Sequence, residues 1–189
     1  MNKKLIVIAG HLAAGKTTFA LKLSKELNIP SFCKDLIKNA LGTNIIIKNR
    51  EDDKRLSAAT FDAITFITER FMETHMPLIV EANFVNNNHA SINEAAVLQA
   101  LVEKYHYRTL TFLFTGKANI LRDRFIKRGS SLSLTQEEFE RVSFLLGCFD
   151  IGGKTEKIDT TEIESVDFAH HIETARKFIG QDEVDFNMF

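Results

Sequence analysis

Tryptophan is absent from this 189-residue chain, and proline and cysteine occur only twice each. With prolines only at 30 and 77 and no Ser/Gly-rich tract, there is no flexible or polyproline linker to divide the chain. Cys33 and Cys148 lie far apart and fit no metal-ligand spacing, which excludes a disulfide framework and a zinc module and suits reduced thiols in the cytoplasm. The N-terminal apolar run Leu5–Ala9 is too short for a signal peptide or a membrane span. An excess of charge of either sign is missing too. A formal net charge of −1 argues against a broad basic surface for nucleic acid. What remains is an ordinary globular composition, 44% hydrophobic and 26% charged, with 16 phenylalanines to build the core. The expectation is one domain over 1–180, cytoplasmic, with a tail at 181–189 whose Phe186, Met188 and Phe189 dock on the body.

The most informative stretch is Leu5 to Leu27. The run Leu5–Ala9 predicts a buried parallel strand. Gly10-His11-Leu12-Ala13-Ala14-Gly15-Lys16-Thr17, followed by Thr18, fits G-x-x-x-x-G-K-[ST] at every fixed position. Phe19, Leu21, Leu23 and Leu27 then suit an amphipathic helix. Strand, glycine loop and helix together make a phosphate site. The loop N–H groups and the helix dipole face the anion, Lys16 reaches the β- and γ-phosphates, and the Thr17 hydroxyl suits Mg²⁺. The expected ligand is a nucleoside triphosphate.

Later acids and arginines fall where such a site would use them. Ser31–Cys33 predicts a short second strand ending at Lys34-Asp35. Asp35 has two readings: the base that takes an acceptor hydroxyl proton, or the N-cap of the helix Leu36–Leu41 closed by Gly42. Lys38, on the same helical face, is a candidate for holding an anionic acceptor. Ile45–Ile47 is a strand fragment or a buried loop anchor, and the mixed charges of 48–55 form a solvated surface. A long helix spans Leu56–Thr74. Leu78–Val80 is the third strand, ending in Glu81-Ala82-Asn83. Glu81 is a candidate to hold Mg²⁺ through water, to bond the acceptor hydroxyl, or merely to pair with a nearby cation. Asn83 opens a polar loop through His89, with Asn87 or Asn88 capping a helix at 90–104, and this loop and the 34–54 segment border the acceptor.

Tyr107–Phe114 is the fourth strand and Lys157–Thr160 a short fifth whose loop borders the base. Between them, Arg124 and Arg128 sit four apart on the helix Ile120–Arg128, so that one guanidinium stacks on a purine while the other reaches over the phosphates. With Gly129-Ser130-Ser131 they mark the edge of a lid at about 124–142, while Arg122 is solvated. Thr135-Gln136-Glu137-Glu138 is a capping box for a helix to about Leu146, and its Arg141 is a further candidate for the phosphates. Asp150-Ile151-Gly152-Gly153 carries the letters of a GTPase switch but follows a helix, and no N-K-x-D occurs; it is a turn. The last helix covers Val166–Ile179.

With GHLAAGKTT, KDLIK, IVEANF, LRDRFIKRG and KIDTTE in this order, the chain resembles the small P-loop kinases of the predicted-kinase type over about Leu5–Ile172. That group includes the shikimate and gluconate kinases, the chloramphenicol phosphotransferase-like proteins and the kinase domain of polynucleotide kinases. The resemblance implies an α/β P-loop fold: a five-stranded parallel sheet in the order 2-3-1-4-5, with helices on both faces. It also implies Mg-ATP as donor, Asp35 as the base, Arg124 near the adenine, Arg128 in the lid, and Asp159 and Thr160 in the adenine-side loop. Two features depart from the pattern. Glu81 stands where many relatives have Asp, and the segment 83–94 has no arginine, which several relatives use there to hold the acceptor. The expected function is γ-phosphoryl transfer from Mg-ATP to the hydroxyl of a small molecule. Kinases for a nucleotide or polynucleotide 5′-hydroxyl or a nucleotide sugar, and a regulatory ATPase, share the same donor machinery.

Overall fold

Leu5, Ile6, Val7, Ile8 and Ala9 have no solvent exposure on either face, which is why their run is continuously apolar instead of alternating. In the computed structural model, which describes residues 3–84, 93–129 and 134–180, the run forms β1 (Lys4–Gly10), the central strand of a parallel sheet. The order of elements is β1, α1 (Lys16–Leu27), β2 (Ser31–Cys33), α2 (Lys34–Gly42), α3 (Arg50–Glu73), β3 (Leu78–Glu81), α4 (Glu94–Tyr105) and β4 (Arg108–Thr115). Next come α5 (Ala118–Lys127), α6 (Gln136–Gly147), β5 (Lys154–Asp159), a short 3-10 turn at Ile163–Ser165, and α7 (Phe168–Gly180). The five strands lie in the order β2-β3-β1-β4-β5, as expected.

The alternation of side chains along β1 divides the core in two. Ile6 and Ile8 face α1 and α7, packing with Phe19, Leu23, Ile172 and Phe178. Leu5 and Val7 face α3 and α4, packing with Phe61, Ile64, Met72 and Leu98. The phenylalanines cluster as the composition suggests: the Phe19 ring meets Phe112 at 5.3 Å, Phe114 at 5.4 Å and Phe168 at 5.6 Å. Each such buried ring contributes roughly 1.5–3 kcal/mol through burial. Lys4 is buried, and its ammonium donates to the Ile179 carbonyl at 3.1 Å, near the C-terminal end of α7 where a cation is favoured.

Several sequence expectations shift. The long helix begins at Arg50, not Leu56: Asn49 accepts from the Glu51 and Asp52 amides, and the acids of the charge run complement the positive end of the helix dipole. Ile45, Ile46 and Ile47 are neither strand nor buried anchor; Ile46 is 80% exposed. Helix α2 starts at Lys34 with Cys33 in the cap position, so Asp35 sits inside the first turn and does not cap it. Strand β4 runs one residue later than expected and β5 starts at Lys154, with Lys157 midway along it. Arg122 is not simply solvated: its Nε donates to the Leu134 carbonyl at 3.2 Å, tying α5 to the lead into α6. The Thr135 capping box is present, and Asp150 accepts the Gly152 amide in a turn into β5. Asn93 caps α4, while the expected Asn86–His89 loop, most of Gly129-Ser130-Ser131 and the 181–189 tail lie outside the described residues. Among the described residues no helix is long and apolar enough to cross a membrane.

Packing demands glycine at two positions, Gly10 and Gly153, the second because a Cβ there would fall onto Thr109. Gly10 has φ of 112°, and a Cβ there would fall onto the Phe114 backbone. At Gly152, with φ of 80°, a Cβ would meet nothing within 4 Å. Gly10→Ala should therefore cost about 3 kcal/mol or more, whereas Gly152→Ala should cost only the left-handed backbone penalty of roughly 1–2 kcal/mol. Urea unfolding of both variants checks this; equal costs would contradict the close approach.

Candidate active site

Strands β1, β2 and β3 end together, and in open parallel sheets that edge holds ligands. The loop after β1 turns back over the sheet through Ala13, with φ of 56°, and Gly15, with φ of 91°. It is tied down by the His11 amide, which donates to the Phe114 carbonyl at 2.8 Å. Successive amides in such a loop form an anion-binding concavity at the N-terminus of α1.

A cavity of about 450 Å³ opens there. Its floor is the loop and helix start, Leu12 to Thr18. One wall is Asp35 and Asn39 from α2, with Glu81 and Asn83 from the end of β3. The other is Phe125, Arg128 and Gly129 from the end of α5. The structure thus brings together Lys16, Thr17, Asp35, Glu81, Asn83 and Arg128. A cavity of similar size, about 480 Å³, lies at the opposite end of the sheet by Arg108 and Lys154, where the strands begin. Size does not choose between them; the strand C-termini and the glycine loop do.

The charged groups of the cavity floor are coupled. Lys16 is buried, and its Nζ donates to the carbonyls of Gly10 at 3.0 Å and His11 at 2.7 Å. Burial pushes the Lys16 ammonium below its usual range; the charges of Glu81 and Asp35 oppose that shift, and Arg128 adds to it. Glu81 is 2% exposed and accepts from the Thr17 hydroxyl at 3.0 Å. Burial raises the Glu81 carboxyl above the usual carboxylate range, against the pull of Lys16 and Thr17. Cys33 is in register with Glu81 on the neighbouring strand. Its thiol is pushed up to about 12, first by burial and then by the charge of Glu81 and a hydrogen bond to it.

The remaining predicted residues lie around this centre. Lys38 does not line the cavity; it pairs with Asp53 at 2.8 Å. The His11 ring turns to the Gly116 carbonyl, at 3.3 Å, and burial lowers its pKa. Arg124 donates to the carbonyls of Thr160 at 2.6 Å and Thr161 at 2.9 Å, clamping the loop after β5. Thr160 is fully buried, its hydroxyl donating to the Thr115 carbonyl, and the Asp159 carboxylate accepts from the Thr161 amide and hydroxyl. Arg141 is exposed and lies close enough to Glu138 for their charges to interact.

Two features escape the sequence patterns. Asn39 lines the cavity and was findable, because it stands one helical turn after Asp35. An apolar crevice of about 130 Å³ between Gly15, Thr18, Phe19, Arg128, Ile163 and Phe168 adjoins the loop. Nothing local in the sequence marks Ile163 or Phe168 for it. Elsewhere, Glu156, His170 and His171 bring possible metal-ligand atoms within 4.8 Å of one another. The Lys154 ammonium occupies one Glu156 oxygen at 2.8 Å, however, and opposes a cation there.

No protein-family model matches the chain, and no curated protein matches it in sequence. Solved structures match its fold. An inferred kinase from Chloroflexus aurantiacus superposes with a TM-score of 0.80 at 23% identity, covering 93% of this chain and 95% of that one. The tunicamycin resistance protein of Deinococcus radiodurans gives 0.58 at 17% identity, over 95% of this chain and 97% of that one. A gluconokinase from Sinorhizobium meliloti gives 0.55 at 14% identity, over 94% and 92%. The fold is that of the small P-loop kinases.

The coupling of Cys33 to Glu81 has a direct readout. Thiolate is the reactive form, so a thiol held near 12 is inert at pH 8. Iodoacetamide at that pH should label exposed Cys148 alone in the folded protein and both cysteines in urea. Equal native labelling would contradict the burial of Cys33 against Glu81.

Proposed function

We propose that the chain is a kinase that moves the γ-phosphoryl of ATP to the hydroxyl of a small molecule. The observation that carries this reading is one cavity holding a phosphate loop, a carboxylate on the facing helix and a lid-side arginine. The triphosphate lies along the Leu12–Thr18 amides with Lys16 at its β,γ end, and the base enters the crevice by Ile163 and Phe168, next to Arg128. Arg124, through Thr160 and Thr161, positions that crevice. The Thr17 hydroxyl and the Glu81 carboxylate, hard oxygen donors 3.0 Å apart, fit Mg²⁺. Bound there, the ion neutralises phosphate charge.

In the transfer, a bond forms between the acceptor oxygen and the γ-phosphorus while the bond to the β,γ-bridging oxygen breaks. That electron pair leaves with ADP, and the acceptor proton passes to the Asp35 carboxylate. Lys16 and Arg128 stabilise the charge on the transferring group from opposite sides. Residues 124–142 act as the lid that excludes water from it. One domain over 1–180, reduced thiols and a cytoplasmic setting complete this reading.

Asp35→Asn should lower phosphoryl transfer by roughly 10²–10⁴-fold and leave ATP affinity near that of the wild type. Following labelled γ-phosphate from Mg-ATP into pooled hydroxyl compounds tests this. Undiminished transfer in the variant would remove Asp35 from the chemistry.

A further inference from the structure

The charges around the acceptor wall narrow the substrate. Among the described residues two cations line the cavity, Lys16 and Arg128, and both lie at the phosphate-donor end. Helix α2, which forms the acceptor wall, carries two more, and each is neutralised away from the cavity. Lys34 is buried, forms an ion pair with Glu94 of α4, and lies 5.3 Å over the Phe61 ring. Lys38 is bound to Asp53 of α3 at 2.8 Å. What α2 presents to the cavity is Asp35 and Asn39, and the end of β3 adds Asn83. Arg50 and Arg141 do not line the cavity. Segments 85–92 and 130–133, which lie outside the described residues, contain no lysine or arginine in their sequence.

We propose, resting on the kinase reading above, that the acceptor is an electrically neutral polyhydroxyl compound, without a carboxylate or phosphate of its own. An anionic acceptor would enter beside a triphosphate, Asp35 and Glu81 with no cation assigned to it, and like charges at such range repel strongly. Two carboxamides and a carboxylate, by contrast, offer both donors and acceptors to hydroxyl groups. The pairing of Lys34 and Lys38 is then a specificity device. It removes from the acceptor wall the positive charge that would attract sugar acids, sugar phosphates and nucleotides.

The test is transfer of labelled γ-phosphate from Mg-ATP into three separate pools. One holds neutral sugars and polyols, one neutral nucleosides, and one sugar acids, sugar phosphates and nucleoside monophosphates. Label should enter a neutral pool, with kcat/KM about a hundredfold above that for the carboxylated or phosphorylated analogue; the first two pools tell a sugar-like acceptor from a nucleoside. Label confined to the anionic pool would overturn the inference and leave the kinase reading standing. No label in any pool, with ATP hydrolysis unmoved by every pool, would overturn the kinase reading itself. Asp53→Asn supplies a second measurement, because it frees Lys38 without touching the cavity. It should leave transfer to the neutral acceptor within about twofold and raise transfer to the anionic analogue by roughly three- to tenfold. An unchanged ratio would show that this charge pairing does not set the acceptor.

Discussion

The candidate site depends on keeping two opposite charges, Lys16 and Glu81, buried side by side beneath the loop after β1. Removing either ion from water is costly unless its neighbours replace the lost hydration. The replacement is local. Lys16 donates to two carbonyls, those of Gly10 and His11, and Glu81 accepts from Thr17 beside Cys33 of the neighbouring strand. Burial disfavours both charges, and it is these bonds and the mutual attraction of the two ions that oppose it.

That arrangement places demands on the sheet. The glycine loop can cover the buried pair only if its first residue lies against β4, which is why Gly10 meets the Phe114 backbone and the next amide bonds to the same carbonyl. Arg124 does the corresponding task at the far edge of the loop by binding the two carbonyls after β5. The phenylalanines under α1 hold the helix whose N-terminus completes the concavity. Fold stability and site geometry therefore share residues.

The strand, glycine loop and helix at Leu5–Leu27 were legible in the sequence because every constraint on them is local: an apolar run, glycines at turn positions and a helix whose first residues are Lys16 and Thr17. The positions of Asp35 and Glu81 at strand ends were legible for a related reason, since strand ends are written in short windows, whereas the sheet order came from the family resemblance and not from any one window. Partners set by tertiary packing were not. Whether Lys38 faces a ligand or Asp53, and whether Arg122 meets water or the Leu134 carbonyl, depends on elements that the pattern of the residue's own helix does not describe. The triple isoleucine at 45–47 misleads in the opposite sense, being apolar in sequence and exposed in the fold. The crevice by Ile163 and Phe168 arises from packing of the loop after β5 against α1, and no local signal announces it.

The most direct test of this account is calorimetric titration of ATP, with and without Mg²⁺, into the wild type and Glu81→Gln. If Thr17 and Glu81 seat the cation beneath the phosphates, Mg²⁺ should strengthen ATP binding to the wild type by about tenfold or more, equivalent to about 1.4 kcal/mol. The variant, retaining the loop and Lys16, should bind ATP with little response to Mg²⁺. Binding that ignores Mg²⁺ in the wild type, or a variant that responds as the wild type does, would contradict the assignment of this buried pair.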